Sequence, residues 1–153
     1  MNEQPTEKFV FEVDISKMIE LLAAQIYPSP LALLRENIQN SFDAILQRQH
    51  AGDSFEPLID VTISPHEIKV ADNGKGMSVS ELRNNFWKAG SSSKNTAEAQ
   101  AAGVVGTFGI GAMANFGIAS TLTVETESFE SRERTVCFAE KATLSVTEEC
   151  ITF

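Results

Sequence analysis

The sequence contains few of the features that mark a secreted or membrane-spanning protein. Its 153 residues include only two cysteines, Cys137 and Cys150, which form no CxxC or other metal-type spacing. No apolar run approaches the ~18 residues of a membrane-spanning helix. The first residues, MNEQPTEKF, lack the basic and apolar regions of a signal peptide. We therefore expect a cytoplasmic protein without membrane contact, whose cysteines are buried or half-buried thiols.

Positive charge is also scarce. Lysine and arginine together number 12 against 21 aspartates and glutamates, which gives a net charge of −9. Nucleic-acid binding needs a basic face, so it is not expected. A phosphate-bearing ligand would have to be held largely by backbone N–H groups and a metal ion. The hydrophobic content of 42% is that of a globular protein. No repeat or linker divides the chain, which predicts one domain over residues 1–153.

Hydrophobic periodicity and turn residues predict the first elements. Alternation predicts a strand at Phe9–Val13. The helix that follows would carry its apolar residues on one face, namely Ile15, Met18, Ile19, Leu22 and Ile26. Ser29 as N-cap and Pro30 at the first helical position predict a second helix that runs to about Gln49.

The later part of the chain is predicted to be mainly strands. LIDVTIS and EIKVA should form a hairpin through Pro65 and His66. A capping box of Ser78 and Glu81 predicts a helix through Trp87, with Gly90 at its C-terminal end. After a polar segment and a glycine-rich turn that leads into a short helix, further strands are predicted at STLTVET, RTVCFAE, KATLSVT and CITF.

The second helix has an unusual polar stripe. At about 100° per residue, one side carries Glu36, Asn40, Asp43 and Gln47. The opposite side carries Leu31, Leu34, Ile38, Phe42 and Ile45, and we expect this apolar side to dock on a sheet. An amphipathic helix with a solvated polar face is the simpler interpretation. However, an acid, an amide and an acid at this spacing could also ligate a cation or orient a water molecule.

Two glycine-containing stretches admit a structural or a functional interpretation. In DNGKGM, Asp72 follows a strand directly, and Gly74 and Gly76 suit a tight turn or a close approach of a flat ring. Asp72 could then accept a hydrogen bond from an exocyclic amine, with Met77 packed on the ring. GTFGIG matches neither a dinucleotide fingerprint nor a Walker A loop. Its N–H groups at a helix start could still bind phosphate.

Taken together, RENIQNSFDA, DNGKGM and GTFGIGAMANF resemble the GHKL superfamily of ATPases, which includes gyrase, Hsp-ninety-type chaperones, histidine kinases and MutL proteins. The similarity extends to about Glu127 and looks nearest to the N-terminal ATP-binding domain of HtpG-like chaperones. It implies the Bergerat fold, an α+β two-layer sandwich in which a mixed, mostly antiparallel sheet has helices packed on one face. It also implies a lid at about residues 90–110.

The resemblance implies a role for each matching residue. Glu36 would be the general base that activates the attacking water, and Asn40 would be a ligand of Mg²⁺. Asp72 would bind the adenine amino group. The other positions implied to contact the nucleotide are Asp43, Ala44, Gly74, Gly76, Met77, Ser92, Lys94, Gly106, Phe108, Gly109, Ile110 and Gly111.

The resemblance further implies Mg-dependent ATP hydrolysis, with lid closure coupled to change in other domains and homodimerisation through them. A Gly-Thr segment and strand usual in the family is not found before Phe153, so we expect a C-terminally truncated domain with slow hydrolysis. Two alternatives stay open: a nucleotide sensor with little hydrolysis, and a DNA-linked ATPase of the MutL or topoisomerase type. The presence of Glu36 favours hydrolysis, and the acidic balance disfavours DNA. A client or partner protein is not identifiable.

Overall fold

The computed structural model describes residues 9–26, 29–88 and 111–153 of the chain. Two longer helices come first, α1 at Ile15–Ile26 and α2 at Pro30–His50. The shorter helical segments are α3 at Val79–Glu81, a π-helical turn at Leu82–Phe86, α4 at Gly111–Ala114, and 3₁₀ turns at Asn115–Gly117 and Lys141–Thr143. Among the helices in these ranges, none has the length and apolar character to cross a membrane.

The start of α2 follows the predicted capping. The Ser29 backbone is extended, and its hydroxyl accepts a hydrogen bond from the Ala32 N–H at 3.3 Å. Pro30 occupies the first turn, where a missing N–H costs nothing because that group would have no helical partner. The helix ends at His50, one residue past the predicted end.

The four described strands form two antiparallel hairpins. Strand β1 (Ile59–Ile63) pairs with β2 (Ile68–Asp72), and β3 (Thr121–Glu127) pairs with β4 (Arg134–Glu140). In the first hairpin, Ile63 lies opposite Ile68, and the Ser64 N–H donates to the Glu67 carbonyl at 2.8 Å. The turn therefore contains Pro65 and His66, as predicted.

The main hydrophobic core lies between α1 and the second hairpin. Ile19 of α1, Phe116 of the 3₁₀ turn after α4, and Ala139 of β4 are fully buried together. Removal of such apolar surface from water is the largest favourable term in folding. On β4 alternate residues face this core, so Cys137 is buried, while Cys150 is half-buried. Both thiols are free, which confirms the prediction for the cysteines.

Three strand predictions were wrong in whole or in part. Phe9–Val13 is not a strand, and the side chains of Phe9 and Phe11 are almost fully exposed. KATLSVT begins with a 3₁₀ turn, after which the Ser145 hydroxyl accepts hydrogen bonds from the N–H groups of Thr147 and Glu148. Such local bonds compete with strand pairing. From CITF, only Thr152 pairs, in a single bridge with Phe138.

The sheet arrangement differs from the single mixed sheet that was expected. Across the described residues the strands form two separate two-stranded sheets, both antiparallel. Helices and antiparallel hairpins together make the chain an α+β protein.

The inward face of α2 also differs from the prediction. Leu31 is 74% exposed and Phe42 is 48% exposed, so the apolar stripe does not dock as a whole on a sheet. Leu33, Ser41, Asp43 and Ile45 are the buried residues of this helix. The helix also makes polar contacts with the turn after β2 and with the 3₁₀ turn at Asn115–Gly117. Phe42 lines an open apolar groove with Leu46 and Leu58.

Candidate functional site

The candidate site begins on the polar stripe of α2. Glu36 and Asn40 are half-buried one turn apart, and Asp43 is only 1% exposed. The Gln39 amide donates to Asp43 Oδ1 at 2.9 Å. Asp43 therefore lies deeper than a solvated stripe would place it. A carboxylate buried this far needs hydrogen-bond donors around it, and the Gln39 amide is one of them.

Helix α4 lies directly against this stripe. A Cβ atom added to Gly111 would stand 3.5 Å from the Asn40 amide nitrogen, so these two predicted site residues are neighbours. The Asn37 amide donates to Asn115 Oδ1 at 2.8 Å, and the Asn115 amide donates to the Gly111 carbonyl at 2.9 Å. The pair Asn37 and Asn115 thereby holds Gly111 beside Asn40. No local sequence pattern predicts this pair, because the two residues lie far apart in the chain.

The turn after β2 packs on α2 one helical turn further along, at Ala44. Asp72 Oδ1 accepts a hydrogen bond from the Gly74 N–H at 2.9 Å, which closes a local turn of the kind that aspartate favours. The Lys75 N–H donates to the Ala44 carbonyl at 3.1 Å. A Cβ atom on Gly74 would come within 2.6 Å of the Ala44 backbone. A residue with a side chain at position 74 would therefore clash with α2. The structure thus brings two predicted site positions, the Asp72 turn and Ala44, against each other.

The same turn also contacts β3. Gly76 has a φ of +63°, and a Cβ atom there would lie 1.8 Å from the Glu127 carbonyl oxygen. The Met77 N–H donates to Thr126 Oγ1 at 2.9 Å. The Glu127 carbonyl lies in the direction in which a Gly76 Cβ would point, and this close approach with the positive φ agrees with the structural interpretation of this glycine. Contact of Gly76 or Met77 with a base stays a prediction.

Replacement of Gly76 by alanine is expected to lower the free energy of unfolding by about 3 kcal/mol or more, since it adds both a steric clash and a left-handed backbone penalty. Gly52→Ala is the matched control. Gly52 has a φ of +89° but nothing within 4 Å of its added Cβ, so only the backbone penalty applies. Urea unfolding of both variants checks this. Equal losses for the two glycines would show that the Glu127 contact does not matter.

The predicted capping box after the turn is present. The Glu81 N–H donates to Ser78 Oγ, and the Ser78 N–H donates to Glu81 Oε2 at 2.9 Å. Lys75 Nζ also donates to Glu81 Oε1 at 2.7 Å. Burial alone would raise the pKa of Glu81, but the bonds from Lys75 and Ser78 outweigh burial, and its pKa lies below the ordinary value of 4.5. Glu81 thereby joins the candidate turn to α3.

Glu81→Gln is expected to lower the free energy of unfolding at neutral pH by about 1 kcal/mol, since the capping geometry survives but the ion pair is lost. The folded pKa is depressed, so the charged carboxyl stabilises the protein above pH 4.5 and stops doing so as pH falls through the folded pKa. The difference between wild type and variant should therefore shrink on acidification. Urea unfolding over a pH series measures it, and Lys75→Met should reproduce the effect. A difference that is constant with pH would contradict this account.

Arg48, in the last turn of α2, is a further residue that the sequence analysis missed. Its guanidinium donates to the Asn73 carbonyl at 2.6 Å and to Asp53 Oδ2 at 2.7 Å. It lies over the rings of Phe55 and Phe129, with its Cζ atom 4.2 and 4.8 Å from their centroids. A basic residue at a helix C-terminus is a recognisable signal, but the ring from the β3–β4 turn is not visible in the local sequence.

The remaining predicted positions fall outside the part of the chain that the structure describes. They are Gly90 at the helix end, the lid at about residues 90–110, and the individual residues Ser92, Lys94, Gly106, Phe108, Gly109 and Ile110. Their roles stay predictions.

The described residues fit a magnesium ion only as part of a nucleotide complex. Among them, no three His, Cys, Asp or Glu side chains cluster as a metal site. Mg²⁺ usually keeps several waters and takes one or two protein oxygens together with substrate phosphates. A single half-buried amide, Asn40, next to a helix start at Gly111 meets that smaller requirement.

Three relatives are similar to most of the chain. The chaperone protein HtpG of Wolbachia sp. subsp. Brugia malayi (strain TRS) is 29% identical over 86% of this chain, and that of Rhodopseudomonas palustris (strain HaA2) is 30% identical over 80%. The mitochondrial TNF receptor-associated protein 1 homologue of Dictyostelium discoideum is 26% identical over 80%. The aligned region covers 24%, 22% and 20% of these relatives, so the chain spans about a quarter or less of their length.

The family comparison agrees with the motifs and their placement. The profile described as "Histidine kinase-, DNA gyrase B-, and HSP90-like ATPase" matches residues 29–150. That range contains α2 with Glu36 and Asn40, the Asp72 turn and α4, which the fold brings against one another. The chain therefore belongs to the histidine kinase-, DNA gyrase B- and HSP90-like ATPase family.

Proposed function

We propose that this chain is an ATP-binding domain over residues 1–153 that hydrolyses ATP with Mg²⁺. The observation that carries the proposal is the docking of the Asp72 turn on α2, through the Lys75 N–H and the Ala44 carbonyl at 3.1 Å. Glu36 lies two helical turns before Ala44, about 12 Å along the axis. That separation suits a nucleotide lying along the helix, with its base at Asp72 and its terminal phosphate near Glu36.

Each of the site residues would have a different chemical role. Asp72 would accept a hydrogen bond from the adenine amino group, because its Oδ1 is engaged by Gly74 and fixes the direction of the carboxylate. Glu36 would take a proton from the attacking water. Asn40 would hold Mg²⁺ through its amide oxygen, and the ion, when bound, would neutralise charge on the phosphates. Amides of residues 106–111 would hold the phosphates, which an acidic chain could otherwise bind only weakly.

The resemblance to HtpG chaperones extends the proposal to the longer proteins. A lid at about residues 90–110 would close over the nucleotide and couple to domains outside this chain, including those that form a homodimer. A nucleotide sensor with little hydrolysis is the second candidate. Glu36 is the observation that separates them, because a protein that only binds ATP needs no base at this position.

The proposal is tested by calorimetric titration of the 153-residue chain with ATP and Mg²⁺, with GTP as the comparison ligand. Saturable binding of one ATP, with much weaker binding of GTP, is expected. Absence of ATP binding would overturn the proposal for this chain. The Asp72→Asn variant tests whether the bound nucleotide occupies the site described above.

A further inference from the structure

A stack of rings and guanidinium groups lies beside the Asp72 turn. In order it consists of Phe55, Arg48, Phe129 and Arg132, with Arg132 Cζ 5.3 Å from the Phe129 centroid. The Arg48 side chain is only 21% exposed, and Asp53 at 2.7 Å balances its charge. Cations over aromatic faces are stabilised more strongly when they are shielded from water. Arg48 is therefore the fixed centre of this stack, and Arg132, at 67% exposure, is its outer end.

Arg48 contacts the turn at the residue next to Asp72. Its Nη1 donates to the Asn73 carbonyl at 2.6 Å. The Asn73 side chain is held as well, because its amide donates to the Glu56 carbonyl at 2.8 Å and its Oδ1 accepts from the Leu58 N–H at 2.9 Å. These bonds fix the Asn73 peptide from two directions. The peptide group that contains the Asn73 carbonyl also contains the Gly74 N–H, which donates to Asp72 Oδ1. The orientation of this peptide group therefore affects the orientation of the Asp72 carboxylate.

The same guanidinium joins segments that are distant in the sequence. Phe129 belongs to the β3–β4 turn, and its N–H donates to the Lys75 carbonyl at 2.8 Å. The turn from Asp72 to Lys75 is thus held at Asn73 by Arg48 and at Lys75 by Phe129, and Arg48 also packs on Phe129. Planar guanidinium suits this position because it can stack on two rings while it donates in its own plane.

We infer that Arg48 is a positioning residue that fixes the direction of the Asp72 carboxylate and thereby sets the preference of the site for adenine over guanine. This inference rests on the proposed function. A carboxylate held in one direction accepts from the adenine amine and repels the guanine carbonyl at the same place. A carboxylate that can rotate loses part of this discrimination.

The test compares two variants, Arg48→Met and Arg132→Met. Arg132→Met is the matched control, because Arg132 belongs to the same stack but its guanidinium is not the donor to Asn73. Two quantities are measured: amide hydrogen exchange of Gly74 and Lys75 in the nucleotide-free chain, and the affinities for ATP and GTP with Mg²⁺. Arg48→Met should speed exchange at Gly74 by about tenfold to 100-fold. It should also lower the ATP affinity by about tenfold while the GTP affinity changes little. Arg132→Met should leave both unchanged.

Other outcomes would overturn the inference. If Arg48→Met weakens ATP and GTP equally, or if exchange at Gly74 is unchanged, Arg48 only stabilises the fold. If that variant does not fold, Arg48→Lys, which keeps the charge and the stem but not the planar donor group, is measured in the same way, with the same expected direction. If the wild type binds no nucleotide, the proposed function fails, and exchange at Gly74 alone decides whether Arg48 holds the turn.

Discussion

Asp72→Asn is expected to lower the affinity of the chain for ATP by about 100-fold or more. The asparagine Oδ1 can still accept the Gly74 N–H, so the turn should keep its shape. Its Nδ2 is a donor and would face the adenine amine, another donor. The variant therefore loses a charge-assisted hydrogen bond and gains an unsatisfied contact, and both effects weaken binding.

Calorimetric titration with ATP and Mg²⁺ measures this loss, and Asp60→Asn provides the control. Asp60 is an exposed carboxylate on β1 of the same hairpin. It lies opposite Ala71, the residue before Asp72. The chemical change and the change in net charge are identical. Asp60→Asn should bind ATP as the wild type does. Unchanged affinity in Asp72→Asn would refute the adenine-binding role, and equal weakening in both variants would point to net charge instead.

The elements that could be predicted from the sequence are those that short-range chemistry determines. The Ser29 cap, the Pro30 start and the Ser78–Glu81 capping box depend on residues within one helical turn. The first hairpin and the two strands of the second were also predicted, because residue alternation and the intervening turn residues are local signals. These elements can therefore be predicted without knowledge of which distant residues they contact.

The predictions that failed depend on a partner that the local sequence does not specify. The alternation at Phe9–Val13 suits a strand, but none of the four described strands pairs with it. The periodicity of α2 identifies two faces without indicating which one turns inward. In the structure Ala44, Asn37 and Arg48 of this helix make polar contacts with partners far along the chain, which the periodicity does not indicate.

For the candidate site, motif spacing located the segments but not the bonds that hold them. Asp72, Gly74 and Ala44 were predicted as one site, and the structure brings the turn against the helix. The tight turn predicted at Gly76 is present, but its close contact with the Glu127 carbonyl involves a residue far along the chain that the motif does not specify. Arg48 lies outside the motifs, and Asn37 and Asn115 lie within two of them without a predicted role, so only the three-dimensional arrangement reveals their contacts.

Glu36→Ala is expected to leave the affinity for ATP within about twofold of the wild type while kcat falls by about 100- to 10,000-fold, the range for loss of a general base. The physical reason is that a base acts on the attacking water in the transition state and adds little to ground-state binding. Glu36 is half-buried one turn before Asn40, on the side of α2 that α4 approaches. Under the proposed function, a carboxylate in that position would take a proton from the water that attacks the terminal phosphate.

Phosphate release with the chain in excess over ATP measures turnover even when it is slow, and calorimetry measures binding on the same samples. Glu36→Gln should be as inactive as the alanine variant, since the amide keeps the shape but cannot accept the proton. Arg35→Ala is the control, because Arg35 is exposed and adjacent on the same helix. Lost ATP binding in Glu36→Ala would argue that Glu36 shapes the pocket instead of acting as a base. Turnover equal to the wild type in both Glu36 variants would refute the role of Glu36 as the base, and negligible turnover in the wild type itself would favour the nucleotide sensor.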